Sequence, residues 1–309
     1  MKLIVIGAVA AGTSAAAKAR RNDDYAEIVI YEKDKDISYS GCGLPYFIGG
    51  DVEDISELTP RDPKFFKDKY DIDVRIRHEV VSVDTNRKVV EVRNLNTNEV
   101  FEDSYDKLVL ATGATPYIPN IEGIDKEHVF FLRNVENARR IKSFIEENHP
   151  KKAVIAGTGF IGFEVLDSLV NYEIDVTIVE VASKITPNLD EDMAIFLENT
   201  LNKKGVKILK SISISKINDK SVVLSNKETL DTDLIIMATG VRPNVTLAKM
   251  MGVKLGITGA IEVNNRMETS IKDVYAAGDC IETFNLITSK PNYRPLGTTA
   301  NKTGRIAGD

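Results

Sequence analysis

Apolar and polar positions along this chain alternate between two periods. Residues 3–6 form a short apolar run that stops at Gly7. Residues 13–21 are rich in alanine and favour helix. Residues 27–31, EIVIY, read as a buried strand ending at Glu32. Strand, turn, helix and strand in this order predict a βαβ unit. The order returns mid-chain, with a strand at 153–156, a helix from about 163 to 170 and a strand at 175–179 that ends at Glu180. Between the repeats, 73–77, 80–84 and 89–92 read as strands, with turns at Thr85-Asn86 and at 94–98. Residues 105–113 are a strand closing on Gly113, and 233–240 repeat that arrangement, closing on Gly240. Residues 134–148 predict an amphipathic helix with Val135, Ala138, Ile141 and Ile145 inward. Residues 191–204 predict another, with Met193, Phe196, Leu197 and Leu201 inward. Near the C-terminus, 274–279 end a strand on Gly278-Asp279, and Pro295 opens a last helix. The expected fold is α/β, one module used twice with the second copy inserted in the first.

The glycine loops say what such modules hold. Gly7-Ala8-Val9-Ala10-Ala11-Gly12 fits GxGxxG except at Val9, and Gly157-Thr158-Gly159-Phe160-Ile161-Gly162 fits it fully. Glu32 stands 20 residues past Gly12, and Glu180 stands 18 past Gly162. The glycines permit a tight turn and close approach to a pyrophosphate, which the helix N-terminus binds. The acid then takes a ribose hydroxyl. Two such loops, each with its acid, predict two dinucleotide sites. Glu180 favours NADH, because an acid repels the 2′-phosphate of NADPH, and Lys184 nearby tempers that preference.

One stretch stands apart: Ser38-Tyr39-Ser40-Gly41-Cys42-Gly43-Leu44-Pro45, running on to Gly49-Gly50. Pro45 suits the first turn of a helix and the paired glycines suit its end. Cys42 then lies just ahead of a helix N-terminus, where unpaired N–H groups favour an anionic sulfur. From this stretch alone, a reactive thiolate and a small buried cysteine both stand.

The chain has 309 residues, enough for two domains, with 43% hydrophobic and 28% charged residues. Net charge of −6 argues against nucleic acid as a partner. Two cysteines without framework spacing exclude a disulfide scaffold and suit a reducing, cytoplasmic setting. His78, His128 and His149 lie far apart, so no metal site is expected. The N-terminal run followed by alanines has the look of a signal peptide, but its recurrence mid-chain favours strand, turn and helix. No apolar run reaches the ~18 residues of a membrane span.

Together the loops, Glu32, the two Ala-Thr-Gly turns at 111–113 and 238–240, and Ala276-Ala277-Gly278-Asp279 resemble the flavin-dependent pyridine nucleotide–disulfide oxidoreductases. The resemblance implies two Rossmann-like, glutathione reductase-type domains. FAD would bind 1–115 with 243–309, and NAD(P)H would bind 116–242, with NADH preferred. It implies flavin contacts at Gly7, Val9, Ala10, Ala11, Gly12, Glu32, Lys33, Val80, Ala111, Thr112, Gly113, Arg133, Gly278, Asp279, Leu296, Gly297 and Thr298. Nicotinamide dinucleotide contacts would be Gly157, Gly159, Phe160 as an aromatic gate, Ile161, Gly162, Glu164, Glu180 and Gly240.

The lone cysteine followed by Gly-Leu-Pro-Tyr is similar to the coenzyme A–disulfide reductase group and its polysulfide-reducing relatives. That resemblance makes Cys42 the redox residue, cycling through a mixed disulfide with coenzyme A. It places Ser14, Lys18, Arg21 and Ser38 at coenzyme A contacts; Lys64, Lys67 and Lys69 read better as a solvated face. Cys280 reads as buried filler. NADH oxidases and peroxidases of the same superfamily have a catalytic histidine where this chain has Ala10, which argues against that alternative. A third alternative is an electron-transfer flavoprotein with a structural Cys42. Gly41 replaces an asparagine common in the reductases. In the family a further C-terminal domain forms a homodimer and completes the substrate site; the resemblance implies that it lies outside these 309 residues.

Overall fold

The computed structural model describes residues 1–187 and 189–309. The chain divides into two compact units. The first comprises Met1–Tyr39, Thr59–Thr115 and Arg242–Asp309; the second comprises Ser40–Leu58 and Pro116–Val241.

The first unit is built on a five-stranded parallel sheet. Its spatial order is Val274–Ala276, Lys107–Leu110, Lys2–Ile6, Glu27–Glu32 and Asp73–Ile76. The opening segment is thus a strand at the centre of a sheet, with Ile4 in register with Val29 on one side and Leu108 on the other. The two-residue period of that strand sorts its side chains. Leu3 and Val5 pack with Ala15, Ala16 and Ala19 of the helix Ala11–Asn22. Ile4 and Ile6 point the other way, to Val80, Val90 and Val92. Those valines belong to a three-stranded antiparallel sheet, His78–Asp84, Val89–Asn94 and Val100–Ser104. Its third strand is absent from the sequence reading. It carries Glu102 and Asp103 and buries no residue, so its apolar pattern is faint.

The last helix, Gly297–Ala307, crosses the helix Ala11–Asn22 at very short range. A Cβ on Gly304 would fall 2.3 Å from the Ala11 carbonyl oxygen, and one on Gly308 would fall 2.2 Å from that of Ala15. Only glycine lets the two backbones meet there.

The second unit repeats the plan. Its parallel sheet has the order Lys207–Lys210, Asp175–Glu180, Lys152–Ala156, Leu234–Met237 and Val129–Phe130. Val154, Ala156, Val179, Ile235 and Met237 pack with Val222 and Leu224 of a small antiparallel sheet. The helix Val135–Asn148 starts with a capping box between Asn134 and Asn137 and buries the four side chains expected of it.

Two expectations are corrected. On the helix Glu191–Lys203, Met193 and Phe196 are exposed, and the inward positions are Ala194 and Leu201. Five consecutive apolar residues, 193–197, leave the helical phase undefined by pattern. The mid-chain helix begins at Phe160 rather than 163, so Gly162 lies within its first turn. The segment Ser40–Leu58 packs on helices of the second unit and is described with it. No described helix is long and apolar enough to cross a membrane.

Candidate functional site

The two units share a loop geometry, each within itself. Gly7 and Gly157 have φ of 106° and 108°. A Cβ on Gly7 would lie 2.2 Å from the Ala111 carbonyl oxygen, and one on Gly157 would lie 2.4 Å from that of Ala238. A Cβ on Gly12 or Gly162 would strike the carbonyl oxygen of the first glycine, at 1.8 and 2.4 Å. So these glycines keep loop, helix and neighbouring strand in contact.

The Ala-Thr-Gly turns are braced alike. Thr112 Oγ1 donates to the Asn244 carbonyl at 2.6 Å, and Asn244 N–H donates to Gly113 at 2.9 Å. Thr239 Oγ1 donates to the Tyr117 carbonyl at 2.8 Å, and Tyr117 N–H donates to Gly240 at 2.9 Å.

The two acids are buried and hold the loops. Glu32 Oε2 accepts from Ala8 N–H at 2.7 Å and Oε1 from Asp34 N–H at 2.9 Å. Burial pushes its carboxyl above the usual range, against the pull of those two donors. Glu180 Oε2 accepts from both the backbone N–H and the hydroxyl of Thr158, at 2.9 and 2.5 Å. Its Oε1 accepts from Ala182 N–H at 2.8 Å. Thr158 Oγ1 also accepts from Thr186 N–H at 3.1 Å. The spacing found both acids; their grip on the second residue of each loop was not legible in it.

The backbone around these loops is open to a ligand. The helices Ala11–Asn22, Phe160–Val170 and Gly297–Ala307 start at Ala10, Gly159 and Leu296, none with a side-chain cap. Their first N–H groups are therefore left for an anion. A Cβ on Gly159, Gly240 or Gly297 would meet nothing within 4 Å. Ala10 and Val9 are half-buried, as are Ala111 and Ile161, while Ala11 and Val80 are buried. Leu296, Gly297 and Thr298 are exposed, as are Lys33 and Glu164, and Phe160 is 75% exposed. Burial of part of the Glu164 side chain raises its carboxyl. Gly278 N–H donates to Thr303 Oγ1, and the Asp279 carbonyl accepts from Tyr293. Arg133 lies in the second unit, where its N–H donates to Asn137 Oδ1. These features fit a dinucleotide loop in each unit.

Cys42 is exposed and sits in a 3-10 turn, Gly41–Gly43. The helix Leu44–Gly49 follows directly, with Pro45 in its first turn and Gly50 closing it at φ 87°. Ser40 N–H donates to the Leu58 carbonyl, which closes the segment into a loop. Leu58 also explains Gly43, where a Cβ would lie 2.5 Å from its Cδ2. Cys280 is fully buried, its thiol donating to Leu110 and Ala277 carbonyls and raised by burial.

Of the expected coenzyme A contacts, Ser14, Lys18 and Arg21 share the helix Ala11–Asn22. Ser14 Oγ accepts from Asn301, and Lys18 pairs with Asp309 at 2.7 Å, so both are engaged by the C-terminal segment. Ser38 has φ of 49° and donates its N–H to the Ala8 carbonyl. Lys64 and Lys67 pair with Asp68 and Asp71 on their own helix face. Among the described residues no group of three His, Cys, Asp or Glu is placed to hold a metal.

The pyridine nucleotide-disulphide oxidoreductase family matches residues 1–300. The chain belongs to that family. Two curated relatives match nearly the whole of this chain and about two thirds of their own length. A NADH oxidase of Methanocaldococcus jannaschii is 41% identical over 100% of this chain and 69% of its own length. A coenzyme A disulfide reductase of Staphylococcus haemolyticus is 37% identical over 97% of this chain and 68% of its own. Among solved structures of the family, a NAD-dependent persulfide reductase from A. fulgidus superposes with a TM-score of 0.96 at 41% identity. The match covers 100% of this chain and 58% of that one, so this chain spans less than two thirds of that oxidoreductase. An engineered water-forming NADPH oxidase, a mutant of the Lactobacillus brevis NADH oxidase, superposes with a TM-score of 0.95 at 29% identity. It is matched over 100% of this chain and 69% of its own.

Proposed function

We propose that this chain is the nucleotide-binding part of an FAD-dependent NADH:disulfide oxidoreductase with Cys42 as its redox residue. Coenzyme A disulfide, or a related persulfide or polysulfide, is the proposed substrate. One observation carries the reading: the exposed Cys42 lies just ahead of a proline-started helix, in a family that includes a coenzyme A disulfide reductase and a persulfide reductase. On this reading FAD lies along the Gly7–Gly12 loop and Asp279, and NADH along the Gly157–Gly162 loop.

Bound FAD supplies two-electron relay chemistry between a nicotinamide and a sulfur. The protein's own residues do the rest. The uncapped helix starts at Ala10, Gly159 and Leu296 hold the dinucleotide phosphates. Cys42 thiolate attacks the substrate disulfide, forms a mixed disulfide and expels one thiolate. Two electrons from NADH then cleave that bond, releasing the second thiolate and restoring Cys42. In balance, NADH, a proton and the disulfide give NAD⁺ and two thiols.

The NADH preference rests on Glu180. In the engineered NADPH oxidase, an exchanged glycine and an exchanged aspartate stand 18 positions apart, and an exchanged proline follows seven later. Gly162, Glu180 and Pro187 have the same separations. An acid there repels a 2′-phosphate.

The second reading, a NADH oxidase, is favoured by the Methanocaldococcus relative's name. Ala10 weighs against it: no ionisable group stands at the loop position of the oxidases' histidine. Cys42→Ser separates the readings. We expect NADH-dependent reduction of coenzyme A disulfide to fall at least about 100-fold while oxygen consumption persists. Undiminished disulfide turnover would remove the assignment.

A further inference from the structure

The helix Glu191–Lys203 of the second unit buries only Ala194 and Leu201. Its large apolar side chains stay outside: Met193, Ile195 and Phe196 are each more than half exposed. Side chains of this kind gathered on one helix make a patch, and apolar patches mark contact surfaces. At about 3.6 residues per turn, every third or fourth residue shares a face. The outward face, opposite Ala194 and Leu201, is a stripe of Asp192, Phe196, Asn199 and Lys203, all four exposed. Ile195 and Met193 stand on its two flanks. The ends of the stripe differ in charge and are unspent. Asp192 accepts from the N–H of its neighbour Met193 at 2.8 Å. Among the described residues neither Asp192 nor Lys203 makes an ion pair. Glu198, nearer the core, does, with Lys210 at 2.8 Å.

The stripe is its own complement. Set it antiparallel against a copy of itself, with a two-fold axis midway between Leu197 and Glu198. Asp192 of each copy then faces Lys203 of the other, and Phe196 faces Asn199. Two opposite-charge pairs close the ends, and the two Phe196 side chains flank the axis. A parallel pairing would instead set Asp192 against Asp192. We propose that this helix face is a docking surface for a second copy of the chain, in an isologous antiparallel contact. Charge complementarity selects that partner, because the stripe matches its own reverse residue for residue. One helix per copy is a small contact, at the transient end of protein interfaces. Association should therefore depend on concentration, and salt should weaken it. An acid at the start and a base at the end also suit the helix dipole.

The experiment is sedimentation equilibrium of the 309-residue chain at rising protein concentration. The wild type should pass from monomer towards dimer. Asp192→Lys and Lys203→Glu each set like charges opposite one another and should each weaken dimerisation at least about tenfold. The double variant, Asp192→Lys with Lys203→Glu, puts opposite charges face to face again and should bring the dimer back to within about threefold of wild type. For the helix by itself that double variant is the worst of the three, because both new charges oppose the dipole. Rescue therefore has no local explanation. Phe196→Ser changes an exposed side chain, so it should weaken the dimer and leave the melting temperature of the monomer unchanged. A wild type that stays monomeric at every concentration would overturn the proposal. So would a dimer indifferent to the single variants, or a double variant no better than the single ones. The readout needs no nucleotide and no turnover, so it succeeds or fails apart from the Cys42→Ser assay.

Discussion

Thr158 and Glu180 are joined twice, through the threonine's backbone N–H and through its hydroxyl. The equivalent pair in the other unit, Ala8 and Glu32, is joined only once. Thr158→Val therefore removes the hydroxyl bond and leaves the backbone one. A hydrogen bond to a charged group is worth about 1.5–3 kcal/mol. We expect weaker NADH binding, by about tenfold, and a narrower margin over NADPH, read from the two dissociation constants.

On the proposed reading, Glu180 sets that margin by charge. Val181 follows it, 72% exposed. Glu180→Ala with Val181→Arg exchanges a repelling acid for a base that can pair with the 2′-phosphate. The ratio of kcat/KM for NADPH to that for NADH should rise at least about 100-fold, counting roughly 1.4 kcal/mol per tenfold.

Gly304 is fixed by the Ala11 carbonyl oxygen, which lies where its Cβ would be. Gly304→Ala must push the two helices apart. Overpacking of this kind costs about 1–3 kcal/mol. Thermal unfolding should begin several degrees lower, and purified protein should hold less flavin, because the parted helices carry two of the open N-termini.

His128 predicts a pH effect on the second unit. Burial, helped by the Lys126 ammonium, keeps its imidazole below the usual range. The unfolded chain takes up this proton near pH 6.5, but the fold does so only at lower pH. Its contribution is thus complete above about pH 6.5 and is lost as pH falls through the folded value. In His128→Phe the fall of melting temperature with acidification should be shallower. Parallel curves for the two proteins would refute this.

Residue pattern revealed most of the fold, where packing follows from period. The four inward positions of Val135–Asn148 are an example. It failed where the pattern has no phase, at Met193 and Phe196, or little apolar content, at Val100–Ser104. Of the candidate site, spacing pointed to the loops and the acids, and the residues around Cys42 pointed to the thiol. Neither showed what each acid holds, because Thr158 and Glu180 are 22 residues apart. Nor did they show the hydrogen bond from Ser168 Oγ to the Pro45 carbonyl, 123 residues away. Such contacts depend on tertiary packing, which leaves no local periodicity.

The grouping of Ser40–Leu58 with Pro116–Val241 has a practical meaning for anyone recombining relatives. A graft cut only at the borders of the large insertion would leave the host's thiol loop packed on a foreign insertion. Transplanting two separate stretches together, the short early loop and the long later one, keeps the sulfur with its own foundation.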